Sequence, residues 1–188
     1  MKRIFLSGTL AAALLLPAGM TPALLAQKVD PNTISYTVLL GPVYPIEGES
    51  NQLTGQIHLD DSTGVLQQLD FSVPLQSFHG VNSGYLAWLG NGWYFPDLEF
   101  QSHKVEQSDK ALRIPGTLRF RGHSTVLTLY ASRSDDADTI TLSGEFSLPV
   151  YDFFPFGPPP FALVPSAIPM EFKMTFDKPQ PKPVAAPS

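Results

Sequence analysis

From residue 34 onward, apolar and polar side chains alternate nearly one for one. Ile34, Tyr36, Val38 and Leu40 alternate with Ser35 and Thr37. The same period of two recurs at 53–59, 69–76, 98–101, 112–120, 127–132, 140–148 and 168–176. A strand points successive side chains to opposite faces, so each run predicts a strand with one apolar and one polar side. Eight such strands present one continuous apolar surface. No amphipathic helix long enough to cover it occurs in the chain, so the sheet must cover itself as a closed barrel or a two-sheet sandwich. Nine residues of strand span about 30 Å and tilt by roughly 40° in a barrel, which makes the interior about 20 Å deep. Such an interior is either filled by side chains or holds one small ligand.

The turns predict antiparallel neighbours. Asp60-Asp61-Ser62-Thr63-Gly64, Ser108-Asp109-Lys110 and Ser134-Asp135-Asp136-Ala137-Asp138 are short and polar, as hairpins require. Parallel strands would need crossovers of about a dozen residues or more. Only the connections 77–96 and 149–167 are that long. In the first, Tyr85, Trp88 and Leu89 are spaced i, i+3, i+4, which predicts a short helix near 84–90, ended by Gly90-Asn91-Gly92. The expected fold is all-β: an eight-stranded antiparallel barrel with this helix between strands three and four. In an up-and-down barrel the turns alternate between ends, so the connections after strands three and seven share one end. That end is expected to be ringed by Tyr85, Trp88, Trp93, Tyr94, Phe153, Phe154 and Phe156. These aromatics either plug the barrel as core or line a mouth. The plug is the simpler reading, because uncovered apolar patches are rare on soluble monomers.

Composition narrows the class. Among 188 residues, 15% are charged, 43% are apolar and none is cysteine, which removes disulfide frameworks, thiolate metal sites and cysteine nucleophiles. The formal charge of −5 offers no basic footprint for nucleic acid. Lys2 and Arg3 precede an apolar run over 4–16, broken by Pro17 and Gly19 and followed by small residues at Ala23 and Ala26. This is a secretory layout, too short to span a bilayer. Residues 1–26 are therefore expected to be a cleaved signal, 27–177 one domain, and 178–188 a proline-rich disordered tail. The mature protein is expected in the periplasm or secreted, with no stable membrane anchor.

Motifs for chemistry are scarce. Gly80-Val81-Asn82-Ser83-Gly84 misplaces the serine of a nucleophile elbow, and no phosphate loop occurs. His58, His79, His103 and His123 form no metal-ligand spacing, and the first and third fall on the polar register. Asp135, Asp136 and Asp138 lack the ligand spacing of a calcium loop. No catalytic residue, metal or cofactor is expected. A hydrolase working with Ser77 or Ser83, His79 and Asp97 would need nucleophile and base in hydrogen-bond reach. Gly55, Gly116 and Gly144 fall on the apolar register, either as bends or as room left for a ligand. Pro74, Pro115, Pro149 and Pro169 fall on the polar register, where their missing donors imply edges or bulges.

Four segments in order carry a resemblance. Phe71-Ser72-Val73-Pro74-Leu75-Gln76-Ser77-Phe78 resembles the third-strand signature of the YceI-like, polyisoprenoid-binding family. Gly55-Gln56-Ile57-His58-Leu59-Asp60, Tyr94-Phe95-Pro96-Asp97-Leu98-Glu99-Phe100 and Gly116-Thr117-Leu118-Arg119-Phe120-Arg121-Gly122-His123-Ser124 resemble three further motifs of that family. The chain departs from the family where Thr33-Ile34-Ser35 replaces a His-Ser opening and where Gly84 and Tyr85 replace an Arg-Asp pair. The resemblance implies a lipocalin-like barrel that binds an isoprenoid or other long apolar lipid without catalysis. The expected lining is Phe71, Val73, Leu75, Phe100, Leu118, Phe120, Leu142, Phe146, Met170, Phe172 and Met174, with the aromatic ring above at the mouth. The alternative is a filled barrel serving as a structural or protein-interaction module.

Overall fold

The computed structural model describes residues 32–41, 44–108, 111–158 and 164–178. The expected signal over 1–26 and all of the expected tail except Lys178 lie outside the described residues, as do Asp109 and Lys110 of one expected turn.

The protein is all-β, with the strands in one antiparallel sheet curled into a half-barrel. In chain order the strands are β1 (Thr33–Leu40), β2 (Tyr44–Ser50), β3 (Thr54–Leu59), β4 (Leu66–Pro74), β5 (Asp97–Ser102), β6 (Glu106–Gln107), β7 (Leu112–Phe120), β8 (His123–Asp135), β9 (Thr139–Leu148) and β10 (Ile168–Asp177). The helix α1 (Gly84–Leu89) lies between β4 and β5, and short 3₁₀ turns occupy Leu75–Ser77 and Val150–Phe153. Alternation places the core: in β7, Leu112, Ile114, Leu118 and Phe120 are buried, while the intervening Arg113 and Arg119 are exposed.

Two expectations need correction. The sheet has ten strands, because β2 and the two-residue β6 were not foreseen. Along β2 the inward positions are Ile46, Gly48 and Ser50, so most of its inner face carries no apolar side chain. Gly48 is needed there because the Tyr36 ring crosses it; a Cβ on Gly48 would stand 2.4 Å from that ring. The hydrogen-bonded wall is also not continuous. The sheet runs β2-β1-β10-β9-β8-β7-β5-β4-β3, with β6 on β7, so β2 and β3 are edge strands not paired with each other.

The seam between these edges is covered by other means. Residues 79–81 lie along β2: Glu49 and His79 exchange backbone hydrogen bonds at 2.9 Å, and the Glu47 N–H donates to the Val81 carbonyl at 2.8 Å. The Ser50 and Ser77 hydroxyl oxygens stand 2.5 Å apart. On the β3 side, a Cβ on Gly55 would meet the Met174 sulfur of β10 at 2.9 Å. The curl is measured by Phe71 of β4, whose ring centre lies 6.1 Å from those of both Phe146 on β9 and Phe172 on β10. The prolines fit the breaks in pairing. Pro115 falls between the part of β7 that pairs β5 and the part that pairs β6, and Pro169 lies just beyond the last β1–β10 pair.

Candidate functional site: the apolar interior and its aromatic end

The interior is built by the inward register of β4, β5, β7, β9 and β10. All eleven expected lining residues are buried: Phe71, Val73, Leu75, Phe100, Leu118, Phe120, Leu142, Phe146, Met170, Phe172 and Met174. They belong to one core cluster. Phe71 stacks on Phe100 at 5.4 Å, and Phe71, Phe146 and Phe172 form a triangle with centroid separations of 6.1–6.4 Å. Leu75 and Phe120 pack at one end of it, where both crowd the Cα of Gly90. Leu75 sits in the Leu75–Ser77 turn rather than on the strand expected for it.

Buried polar groups are few and satisfied. Ser102 Oγ accepts the Leu69 N–H at 2.8 Å, and Ser50 Oγ accepts the Gln52 N–H at 3.1 Å. Neither is an ion, so the interior offers an occupant dispersion and burial but no charge. The inner-face glycines do not leave open room. A Cβ on Gly116 would stand 2.3 Å from the Phe100 ring, and one on Gly144 would stand 2.8 Å from the Phe172 ring. The large side chains lie against the wall where these residues have none.

The two long connections meet at one end, with the Arg121-Gly122 turn between β7 and β8. Arg121 Nη1 donates to the Leu89 carbonyl of α1 at 2.9 Å, and its guanidinium carbon lies 4.5 Å from the centre of the Phe154 ring. Leu86 and Leu89 of α1, with Val150 and Phe153, are buried and close this end. The expected aromatic ring therefore divides. Phe153 is fully buried, edge-on to Phe120 at 5.3 Å, and is core rather than rim. Tyr85 and Phe154 are half-buried, and Tyr85 lies 5.6 Å from Trp88. Trp88, Trp93, Tyr94 and Phe156 are exposed, by 58%, 89%, 79% and 100%. The two connections thus carry both buried and exposed aromatics.

Polar candidates are placed as follows. His58, His79, His103 and His123 are all exposed, and the His103 ring shares a 2.8 Å hydrogen bond with Thr117. Ser77 Oγ donates to the Pro74 carbonyl at 2.6 Å, and among the described residues no hydrogen bond joins the His79 ring to Ser77 or Ser83. Asp135 is held by Arg133 through two bonds of 2.8 and 2.9 Å. Arg121 entered the sequence analysis only as part of the Gly116–Ser124 segment, with no site role given to it. Its signal is positional: a two-residue hairpin turn favours Asn-Gly or Asp-Gly, and here arginine takes the first place at φ 54°.

No family model matches the chain, and no curated protein matches it in sequence. Solved structures do. The crystal structure of Burkholderia cenocepacia BcnA superposes with a TM-score of 0.63 at 15% identity, covering 77% of this chain and 95% of that one. The Campylobacter jejuni YceI protein superposes with a TM-score of 0.59 at 18% identity, covering 71% of this chain and 85% of that one. With ten strands curled around an aromatic interior and two long connections gathered at one end, the chain has a YceI-like fold.

Proposed function

We propose that the protein binds one long apolar chain, of polyisoprenoid or quinone type, inside the half-barrel, and carries or sequesters it without catalysis in the periplasm or outside the cell. The observation that carries this reading is the triangle of Phe71, Phe146 and Phe172. These rings point inward yet keep 4–6% of their surface accessible, while most of the surrounding core keeps 0–2%. They are therefore among the least tightly enclosed rings of an interior whose buried side chains among the described residues carry no ion. The neighbours able to yield to an occupant are Met170 and Met174, whose unbranched side chains repack easily. Removing about 400 Å² of ligand surface from water would give about 10 kcal/mol before ordering and association costs. Micromolar affinity then needs no polar contact. Extraction of the purified protein with organic solvent, followed by mass spectrometry, tests the reading. Recovery of a prenyl lipid supports it. An extract without lipid, from a protein that also fails to take up added farnesol, removes it.

A second reading has its own observation. The Phe100 and Phe172 rings occupy the space over Gly116 and Gly144, as in a barrel packed by its own side chains. On that reading the exposed aromatics contact a protein partner. Lipid uptake in solution separates the two, because only the first reading requires it.

A further inference from the structure

At the closed end, Trp88, Leu89, Asn91, Arg121 and Phe154 line a groove of about 310 Å³. Its cation is unusual within the chain. Arg113, Arg119 and Arg133 each meet a carboxylate, on Glu106, Glu99 and Asp135 respectively. Arg121 meets none among the described residues. Of its five N–H donors, one is used on the Leu89 carbonyl, while its plane covers Phe154. Capping α1 would account for that single bond and leaves the other donors without an acceptor among the described residues. The groove also holds two of the three non-glycine residues with left-handed backbone among the described residues, Arg121 at φ 54° and Asn91 at φ 53°. Arginine is not a residue that favours this region, and backbone of this kind tends to be kept where it aims a side chain.

We propose that this groove is an oxyanion subsite. Arg121 receives a phosphate or carboxylate, Asn91 adds an amide, and the Trp88 and Phe154 rings cover the first apolar atoms joined to the anion. A guanidinium presents paired N–H groups that match such an anion in two bonds, and it stays charged at every physiological pH. Leu89 lines this groove and also belongs to the buried core, so the groove and the interior adjoin across the plug that Leu89 helps to form, and a chain held at both would have to displace it. This rests on the chain-binding reading above and deepens it: the lipid carried is acidic, with its headgroup at Arg121 and its chain in the interior.

The test uses the Trp93→Phe protein, in which Trp88 is the remaining tryptophan. Its fluorescence is followed with farnesyl diphosphate, neutral farnesol and inorganic pyrophosphate. The expected result is about tenfold tighter binding of farnesyl diphosphate than of farnesol, a preference that shrinks in high salt. Arg121→Gln should abolish the preference, and Arg121→Lys should keep part of it. Equal affinity for the two lipids overturns the proposal with no need of a charge variant, and so does a preference that survives in Arg121→Gln. A response to pyrophosphate alone supports the anion subsite for a free phosphate and removes the chain-binding reading. Silence of Trp88 toward all three overturns both.

Discussion

The Phe172 ring lies where a side chain on Gly144, its cross-strand partner, would have to stand. A Cβ on Gly144 would be 2.8 Å from the ring and 2.3 Å from the Tyr130 carbonyl oxygen. A missing side chain on one strand is thus filled by a large one from the next, which keeps the inner wall dense.

The three inner glycines should therefore differ in tolerance. At Gly116 and Gly144 an added methyl meets backbone oxygens at 2.5 and 2.3 Å as well as a ring. At Gly55 the nearest atom is the movable Met174 sulfur at 2.9 Å, and the nearest backbone atom is 3.2 Å away. Overpacking of a dense core costs about 1–3 kcal/mol. Gly116→Ala and Gly144→Ala should fall at or above the top of that range, and Gly55→Ala near the bottom. Urea unfolding of the three variants checks the order, and equal midpoints would refute it.

At the closed end, Phe153 and Trp88 should separate core from rim. Phe153 is fully buried against Phe120, and truncating a buried aromatic costs about 3–5 kcal/mol. Trp88 is more than half exposed, so Trp88→Ala should shift the melting midpoint little while changing lipid exchange rates. Thermal melts paired with a lipid-transfer assay read both. Similar destabilisation by the two substitutions would make Trp88 part of the plug.

How far this structure could be read from sequence depended on what stood at the inward positions. β4, β7, β9 and β10 carry Leu, Ile, Phe and Met there and were legible as alternation. β2 was not, because two of its three inward places hold glycine and serine, beneath a ring supplied by Tyr36 of β1. Nothing local reveals that arrangement. The same limit applies to the seam, where 79–81 pairs with β2 through backbone groups that any sequence possesses. The lining residues were legible because inward and apolar coincide on a strand. The end was legible only in part. In the run Phe153, Phe154 and Phe156 no period states which ring turns inward, and Arg121 became notable only once its lack of a carboxylate was visible.

Asp60 predicts behaviour in acid. Its Oδ1 accepts from the backbone and hydroxyl groups of Ser62 and Thr63 at 2.6–3.0 Å, and these bonds lower its pKa to about 2. A carboxyl lowered on folding stabilises the fold above its ordinary value near 4, and that contribution disappears as pH falls through about 2. Asp60→Asn should therefore be less stable than the parent at neutral pH, with the gap closing between about pH 4 and 2. A gap that stays constant over this interval would show that the carboxylate does not order the turn.

Tyr36 predicts the alkaline limb. Its ring fills the place over Gly48, and its hydroxyl donates to the Ser83 carbonyl at 3.0 Å, tying β1 to the segment that leads into α1. Burial pushes its pKa from 10.0 to about 12, and burial does the same to Tyr85. Between those values the unfolded chain ionises while the folded one stays neutral. The stability that Tyr36 supplies is therefore complete below pH 10 and is lost as pH rises toward 12. Tyr36→Phe removes one hydrogen bond and should cost about 1 kcal/mol at neutral pH. It also removes one of the two shifted phenols, so its stability should fall less steeply above pH 10, and the two curves should converge. Tyr85 keeps some of the slope in the variant. Denaturant unfolding at neutral pH and across pH 9–12 measures both effects. Parallel curves would mean that the Tyr36 hydroxyl ionises as freely in the fold as in water, and that the tie to Ser83 does not hold the end in place.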